Sequence, residues 1–332
     1  MDTPAWWWAQ TSTRERPHIA VVGSINMDIV NRVMAFPRPG ETVRAVSTAF
    51  HAGGKGANQA VAAAAAGGET TLIAALGDDP FAPTLRTALQ NAGVHVSSVV
   101  QKDLTTSGQA TITINEAGQN TIVLAPGANE RLTPEDVRAH TSAIQNAHVL
   151  LVQNEVPWET TVEAMRLAHA GAVPVICNPA PARQLSTDVY ALVDTLITNE
   201  IEAATLLGQP IPTVETAIVA AHELAARGPR RVIITLGEHG AVLYDAHDDS
   251  GINVPAFGGM QVVDTTGAGD TFIGFYAVGA LSMPAAAALH VATAAAALAI
   301  TRPGAQEAVP TADEVSAFLQ AQTARSTQVN SG

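Results

Sequence analysis

Several residue types are scarce in this sequence of 332 residues, and each scarcity excludes a class of protein. The single cysteine, Cys177, cannot form an internal disulfide, which predicts a reducing, cytoplasmic setting. The chain has 17 lysines and arginines against 30 acidic residues, and lysine occurs only at Lys55 and Lys102. The formal net charge of -13 repels nucleic acid and anionic membrane surfaces, so we expect no nucleic-acid partner.

Long hydrophobic runs are also lacking. The most apolar stretch, Ala285 to Ile300, is interrupted by His290 and Thr293 and falls short of the ~20 apolar residues that a membrane span requires. We interpret it as a core helix and expect no membrane partner. Residues 1–16 have no secretory signal pattern and are interpreted as a disordered or frayed extension. The tryptophans at 6–8 could form an interaction patch or belong to a non-native start.

Short apolar, β-branched runs alternate with alanine-rich segments along most of the chain. These runs are His18 to Val22, Thr71 to Leu76, Val149 to Gln153, Val173 to Cys177, Leu196 to Thr198 and Arg231 to Leu236. Apolar strands separated by helices are typical of a parallel sheet that is buried on both faces. The pattern predicts an α/β fold with a Rossmann-like, mostly parallel central sheet and helices on both faces.

Two regions, about 32–52 and 105–125, alternate polar and apolar residues instead. This alternation indicates strands with one solvated face. Asn115 to Gln119, with Gly118, predicts a hairpin turn in the second region. We therefore expect a small inserted β-sheet that covers a cleft as a lid.

The segment DTTGAGDTFIG, from Asp264 to Gly274, lies between the strand-like Gln261 to Val263 and a predicted helix. Gly267 and Gly269 allow successive backbone amides to converge on an anion such as phosphate. Asp270 falls in the first helical turn, where it could act as a general base. The alternative is that Asp270 only caps the helix.

Two further segments predict a binding site for a polar ligand. GGKGANQA, Gly53 to Ala60, is a glycine-rich turn that enters a helix, and Lys55 and Asn58 supply donors. GSINMD places Asn26 and Asp28 on one face of an extended strand, where they could bind vicinal hydroxyls. Both segments could instead be simple turns.

Asn199 and Glu202 open a helix after a strand and share one face, so the acid could hold Mg²⁺ through water. An ordinary surface acid at a helix start is the alternative. TLGEHG, Thr235 to Gly240, follows an apolar strand. A turn at the carboxyl end of a strand lies where open α/β sheets bind ligands.

These motifs occur in an order that is similar to one known family. The sequence contains GSINMD, PGET, GGKGANQA, NPAPAR, ITNEIEA, TLGEHGA and DTTGAGDTF. From about Ile19 to Leu319 it resembles the ribokinase-like family of carbohydrate kinases. The resemblance implies a ribokinase-like kinase domain over residues 17–322 and a flexible tail over 323–332.

The activity implied by the resemblance is transfer of the γ-phosphoryl group of ATP to O5 of D-ribose, giving D-ribose 5-phosphate. Asp270 would be the base, and the amides of Gly267, Ala268 and Gly269 would form the anion hole. The sugar would contact Asn26, Asp28, Gly53, Gly54, Lys55, Asn58, Ala110, Ile112, Glu155 and Asp270. ATP would contact Asn199, Thr235, Gly237, Gly240, Gly269 and Thr293.

The resemblance also implies ions and a partner. Mg²⁺ would depend on Asn199 and Glu202 through its waters. K⁺ or a similar monovalent cation would lie at Asp264, Thr266, Ala299, Arg302, Gly304 and Ala308. Two lids commonly clasp in a homodimer in this family, so we expect a homodimer here.

Other readings stay open at this stage. The acceptor could be another sugar or a nucleoside, such as deoxyribose, fructose or adenosine. A non-catalytic sugar- or nucleotide-binding protein would be expected to lack the base or the glycines, and both are present.

Overall fold

The computed structural model describes residues 16–329, so the tryptophans at 6–8 lie outside the described residues. Within that range the strands, in chain order, are β1 (His18–Val22), β2 (Asn26–Arg32), β3 (Ser47–Gly53), β4 (Glu69–Leu76), β5 (Val94–His95), β6 (Val99–Gln101), β7 (Gly108–Ile114), β8 (Asn120–Ala125), β9 (Val149–Val152), β10 (Val175–Cys177), β11 (Thr195–Asn199), β12 (Arg231–Thr235), β13 (Ala241–Asp245) and β14 (Ser250–Val254).

The helices follow the same numbering. They are α1 (Lys55–Ala65), α2 (Phe81–Asn91), α3 (Pro134–Arg138), α4 (Thr141–Gln145), α5 (Trp158–Ala170), α6 (Thr187–Tyr190), α7 (Glu200–Leu207), α8 (Val214–Ala225), α9 (Ala268–Gly279), α10 (Ala285–Ala299) and α11 (Ala312–Val329). No helix within residues 16–329 combines the length and apolar character needed to cross a membrane.

The larger of two sheets has the strand order β14-β13-β12-β11-β10-β9-β1-β4-β5, and β6 also pairs with β4. All pairs from β4 to β12 are parallel, whereas β13 and β14 join antiparallel at one edge. The six apolar runs of the sequence all contribute strands to this sheet. The predicted mostly parallel α/β sheet is confirmed.

Helices cover both faces of this sheet, which explains why its strands are apolar throughout. Ile19 and Val21 of β1 pack with α1, α9 and α10, whereas Ala20 and Val22 face the opposite side with α5 and α8. A parallel strand that is buried on both faces needs no polar positions. The sheet therefore fixes β1, β9, β10, β11 and β12 as a rigid base for the loops at their carboxyl ends.

The smaller sheet has the order β3-β2-β7-β8 and forms the lid. Strands β2 and β7 are parallel at its centre, and β3 and β8 pair antiparallel at its edges. The predicted hairpin is present, because the Asn115 amide donates to the Gln119 carbonyl at 3.0 Å and Gly118 has φ +77°. The lid also contains β2, of which the predicted range of about 32–52 left out residues 26–31. Its polar residues Asn26 and Asp28 alternate with apolar ones but are buried, so the start of β2 does not have the solvated face expected of the lid strands.

Two local predictions differ from the structure. Gln261 to Val263 is irregular rather than a strand, because the amides of Val263 and Asp264 donate to the carbonyl of Ile300 at the end of α10. Helix α11 continues to Val329, although a flexible tail was expected from residue 323.

Candidate active site

The candidate site lies where the lid meets the carboxyl ends of the parallel strands. The turn before α1 comes close to the start of β2, and only glycine fits there. Gly54 has φ +91°, and a Cβ at this position would lie 2.8 Å from the amide nitrogen of Asn26. A Cβ on Gly56 would lie 2.6 Å from the carbonyl carbon of Gly23. The glycine-rich turn therefore lets backbone from α1, β1 and β2 converge.

Asp270 lies at the N-terminal end of α9 and is 7% exposed. Its Oδ2 accepts a hydrogen bond from Asn58 Nδ2 at 3.0 Å, and its Oδ1 accepts one from Gln59 Nε2 at 3.0 Å. Both partners belong to α1, so the carboxyl group points at the neighbouring helix. The Asp270 side chain thus connects the two glycine-rich motifs, GGKGANQA and DTTGAGDTFIG, through hydrogen bonds.

The amides beside Asp270 continue into a buried network that sequence reasoning missed. Gln153 Nε2 donates to Gln59 Oε1 at 2.7 Å, and Gln59 Nε2 also approaches Asn178 Oδ1 at 3.4 Å. Gln59 is fully buried and directly follows Asn58 in GGKGANQA. A polar residue next to a predicted ligand residue, in an alanine-rich helix, was the available signal.

Asn26 and Asp28 share one face of β2, as predicted, and both are buried. Ala110 lies directly beside Asp28 in the parallel pairing with β7, and Ile112 lies two residues further out on the same face. Asn129, which sequence reasoning also missed, fixes this end of the lid. Its Nδ2 donates to Asn26 Oδ1 at 2.8 Å.

Gly53 and Glu155 border the same face. A Cβ on Gly53 would lie 2.2 Å from Asp28 Oδ2, so this glycine leaves room for the carboxyl group. Glu155 follows β9, and its Oε2 accepts hydrogen bonds from Ser24 Oγ at 2.5 Å and from the Lys55 amide at 3.0 Å. The predicted sugar-contacting residues are therefore brought together from β2, β7, α1 and the loop after β9.

The charges in this group perturb one another. Burial, together with the smaller effects of the neighbouring Glu155, Glu307 and Asp270, raises the pKa of Asp28 to about 7. The charge of Asp270 raises the pKa of Lys55 against the opposing effect of burial, with smaller contributions from Glu155 and Glu202. The half-buried Lys55 is thereby kept charged among these acids.

A contact between the lid and the loop after α10 was not expected from the sequence. His51 of β3 lies opposite Asp28 in the antiparallel pair, and its Nδ1 is 3.6 Å from Glu307 Oε1. Gln306, the preceding residue, donates from Nε2 to Asn58 Oδ1 at 3.2 Å. The loop therefore contacts both the lid and the residues around Asp270.

A second region next to Asp270 is a cleft of about 650 Å³. Five of the predicted nucleotide residues, Thr235, Gly237, Gly240, Gly269 and Thr293, line it together with Ala268. Apolar side chains such as Phe257 and Ile300 form much of the remaining wall. The Thr293 hydroxyl donates to the Leu289 carbonyl at 2.9 Å, so its hydrogen-bond donor is already used within α10.

The glycine turn of α9 separates this cleft from Asp270. Gly267 is the N-cap residue in the left-handed conformation, with φ +73°. The position of a Cβ on Gly269 meets nothing within 4 Å, so the backbone is open to the cleft there. An anion at this turn would meet backbone amides and the positive end of the helix dipole.

Asn199 lies at the end of β11, paired with Thr235, but is not one of the residues that line the cleft. Its Oδ1 accepts from the Glu202 amide at 2.7 Å, and Glu202 Oε2 accepts from the Asn199 amide at 3.0 Å. The pair forms a capping box for α7, so the predicted shared face is present. Glu202 Oε1 takes no part in this capping box and could contact a hydrated ion.

The predicted monovalent-cation residues converge in part. Asp264 Oδ1 accepts from the Thr266 hydroxyl at 2.7 Å, and Asp264 Oδ2 accepts from the Gly304 amide at 3.1 Å. Although burial acts in the opposite direction, these hydrogen bonds hold the pKa of Asp264 below its ordinary value. The Arg302 guanidinium points elsewhere, to Glu314 at 2.6 Å.

Ala299 and Ala308 are both buried near this loop and could act only through their carbonyl oxygens. Among residues 16–329 no group of three or more His, Cys, Asp or Glu side chains could hold a metal ion. A site here would therefore depend on backbone oxygens and Asp264.

Comparison with known proteins agrees with this arrangement of sheet, lid and glycine turns. Residues 16–312 match the sequence profile of the pfkB family of carbohydrate kinases. The chain belongs to the pfkB family of carbohydrate kinases. The resemblance of the sequence motifs to this family is therefore confirmed.

Relatives in the pfkB family cover nearly the whole chain. A ribokinase of Haemophilus influenzae is 37% identical over 92% of this chain and 99% of its own length. A deoxyribokinase of Salmonella typhimurium is 35% identical over 91% of this chain and 98% of its own. A bifunctional ribokinase/ribose-5-phosphate isomerase A of Fructilactobacillus sanfranciscensis is 40% identical over 90% of this chain, which spans only 55% of that protein.

A solved structure of an Arabidopsis thaliana ribokinase, complexed with ribose and ATP, is also similar. It matches with a TM-score of 0.85 and 31% identity, covering 92% of this chain and 99% of that one. A protein with a similar fold is thus known in complex with both a sugar and a nucleotide.

Proposed function

We propose that this pfkB kinase transfers the γ-phosphoryl group of ATP to O5 of D-ribose, giving D-ribose 5-phosphate. The observation that carries the proposal is the position of Asp270, between the buried polar face of β2 and the cleft at the α9 turn. One carboxyl group there can reach a sugar hydroxyl on one side and a phosphate on the other. Similarity to enzymes named as ribokinases supports ribose as the acceptor.

In this proposal the β2 face and the α1 turn hold the sugar. Asp28 and Glu155 accept hydrogen bonds from ring hydroxyls, while Asn26 and Asn58 can donate or accept. Gly53 and Gly54 border the ring closely because they have no side chains, and Lys55 supplies a donor. This arrangement directs the primary alcohol towards Asp270.

Asp270 then accepts the proton of the 5-hydroxyl as O5 attacks the γ-phosphorus and the bond to the β-phosphate oxygen breaks. The amides of Gly267, Ala268 and Gly269 stabilise the charge on the phosphoryl oxygens. Phosphoryl transfer depends mainly on such positioning and charge stabilisation. A positioned base contributes about 10² to 10⁴ in rate.

The residues present fit both ions that the family implies. Glu202 with Asn199 would hold hydrated Mg²⁺, which neutralises phosphate charge when bound. Asp264 and nearby backbone carbonyls would hold K⁺ or a similar cation beside the α9 turn. Thr266 and Gly304 already fix the Asp264 carboxylate in place.

The lid would exclude water, which otherwise competes with the sugar as acceptor. The lid face opposite Asp28 exposes apolar side chains, with Phe50 and Val123 at 58% and 70% exposure. Burying them against a second lid would yield the homodimer expected from the sequence. We also propose the cytoplasm as its location, in line with the single buried thiol of Cys177.

A substrate panel tests the acceptor. ADP release is measured with ribose, deoxyribose, fructose and adenosine, each with and without K⁺. We expect ribose to give the highest kcat/KM and K⁺ to raise it. Deoxyribose is the second candidate, because a deoxyribokinase is 35% identical over most of the chain. A higher kcat/KM for any other acceptor would contradict the ribose assignment.

A further inference from the structure

The carboxyl group of Asp270 is held on each side by an amide, and each of those amides is contacted by a second one. On one side Gln306 donates to Asn58 at 3.2 Å, and Asn58 donates to Asp270 at 3.0 Å. On the other side Gln153 donates to Gln59 at 2.7 Å, and Gln59 donates to Asp270 at 3.0 Å. Every link places a nitrogen donor on an oxygen acceptor.

The two sides differ in what fixes their orientation. Asn178 Nδ2 donates to the Ile197 carbonyl at 2.9 Å, and this backbone acceptor forces Asn178 Oδ1 towards Gln59. The nitrogen of Gln59 must therefore face Asn178 and Asp270, whatever Gln153 does. Asn58 has no comparable backbone anchor: within residues 16–329, the recorded partner of its Oδ1 is Gln306.

We propose that Gln306 is a positioning residue for Asp270, acting through Asn58. The inference rests on the proposed role of Asp270 as the base. Before the reaction, the carboxylate is an acceptor and itself attracts the nitrogen of Asn58. Once Asp270 has taken the proton it can donate, and an unrestrained Asn58 could rotate to present its oxygen. The Gln306 donor keeps Asn58 Oδ1 engaged and the nitrogen on Asp270 throughout.

The loop that carries Gln306 is held firmly enough for this role. The Gly304 amide donates to Asp264 Oδ2 at 3.1 Å. A Cβ on Gly267 would lie 3.1 Å from both carbon atoms Cα and Cβ of Ala305, so the loop packs against the α9 turn. Gln306 itself is half-buried. The loop therefore connects the phosphate-facing turn to the sugar side of Asp270.

Substitutions that change only the hydrogen-bonding character of residue 306 test the proposal. Gln306→Glu places an acceptor against Asn58 Oδ1, Gln306→Met removes the bond at similar size, and Gln306→Lys restores a donor. Because small misplacements of reacting groups cost up to about 10² in rate, we expect Gln306→Glu to lower kcat by about 10-fold to 10²-fold. Gln306→Met should fall between Gln306→Glu and the wild type.

The ribose KM separates positioning from binding. We expect KM to stay within about threefold of wild type in all three variants, because the lost contact acts in the transition state. Gln306→Lys should recover kcat to within about threefold of wild type. Gln209→Glu is the charge control. It replaces the donor in an exposed hydrogen bond from Gln209 to Glu223 with an acidic group, and it should keep wild-type kcat.

Thermal unfolding followed by circular dichroism confirms that each variant is folded at the assay temperature. Wild-type kcat in Gln306→Glu, or equally low kcat in Gln306→Lys and Gln306→Glu, would overturn the proposal. A change confined to KM would also overturn it. Asp270→Asn distinguishes this failure from failure of the proposed function: if that variant is inactive while Gln306→Glu is normal, only the role of Gln306 is lost.

Discussion

Ribose binding should weaken as the pH falls through 7, because of Asp28. This side chain is 9% exposed, and burial raises its pKa to about 7, helped by Glu155, Glu307 and Asp270. An ionised carboxylate can accept hydrogen bonds from two sugar hydroxyls, and such charge-assisted bonds are the stronger ones. Binding of the sugar should therefore favour the ionised form of Asp28.

The magnitude follows from a single titrating group. With a pKa of about 7, roughly one molecule in eleven has Asp28 ionised at about pH 6, so the ribose affinity should be about tenfold below its limit at high pH. The effect on stability has the opposite sign. The folded protein binds more protons than the unfolded chain between the ordinary value of 3.8 and about 7, so stability should fall as pH rises through this window.

Isothermal titration calorimetry with ribose, from about pH 5.5 to about pH 8.5, measures this dependence directly. The matched variant is Asp28→Asn, which keeps the size of the side chain and removes the titration. We expect its ribose affinity to be weaker at high pH and nearly independent of pH. An affinity of the wild type that is flat across pH 7, or an equal pH dependence in Asp28→Asn, would refute the reasoning.

Two further predictions concern packing and assembly. Gly56→Ala should lower the melting temperature much more than Gly258→Ala, since the Cβ of residue 56 would lie 2.6 Å from the Ser24 amide nitrogen, whereas a Cβ on Gly258 meets nothing within 4 Å. Equal shifts in calorimetric scans would contradict this. Wild-type protein should sediment as a dimer at micromolar concentration, and Val123→Asp on the exposed lid face should yield monomers. Wild-type protein that sediments only as a monomer would exclude the lid interface.

The parallel sheet could be predicted from the sequence because its strands are buried on both faces and their apolar runs are continuous. The lid could be predicted only where its strands alternate. Strand β2 was predicted as an extended segment but not as part of the lid, because its polar residues Asn26 and Asp28 are buried rather than solvated. The irregular 261–263 segment was misassigned because β-branched residues indicate strands whether or not a partner strand is near.

The site residues close in sequence to a glycine turn were predictable, since glycine marks close backbone approach. Residues that act by long-range contact were not. Asn129 and Gln306 reach Asn26 and Asn58 across 103 and 248 residues of chain, and no local pattern connects them. His51 and Glu307 are likewise brought together only by the lid and the loop after α10.

The central claim is that Asp270 takes the proton of the sugar hydroxyl, and steady-state kinetics of Asp270→Asn with ribose and ATP tests it most directly. Asp188→Asn on the exposed face of α6 serves as the control for the same chemical change. We expect kcat to fall by at least about 10² with little change in the ribose KM, and the control to match wild type. Near-normal turnover in Asp270→Asn would contradict the account.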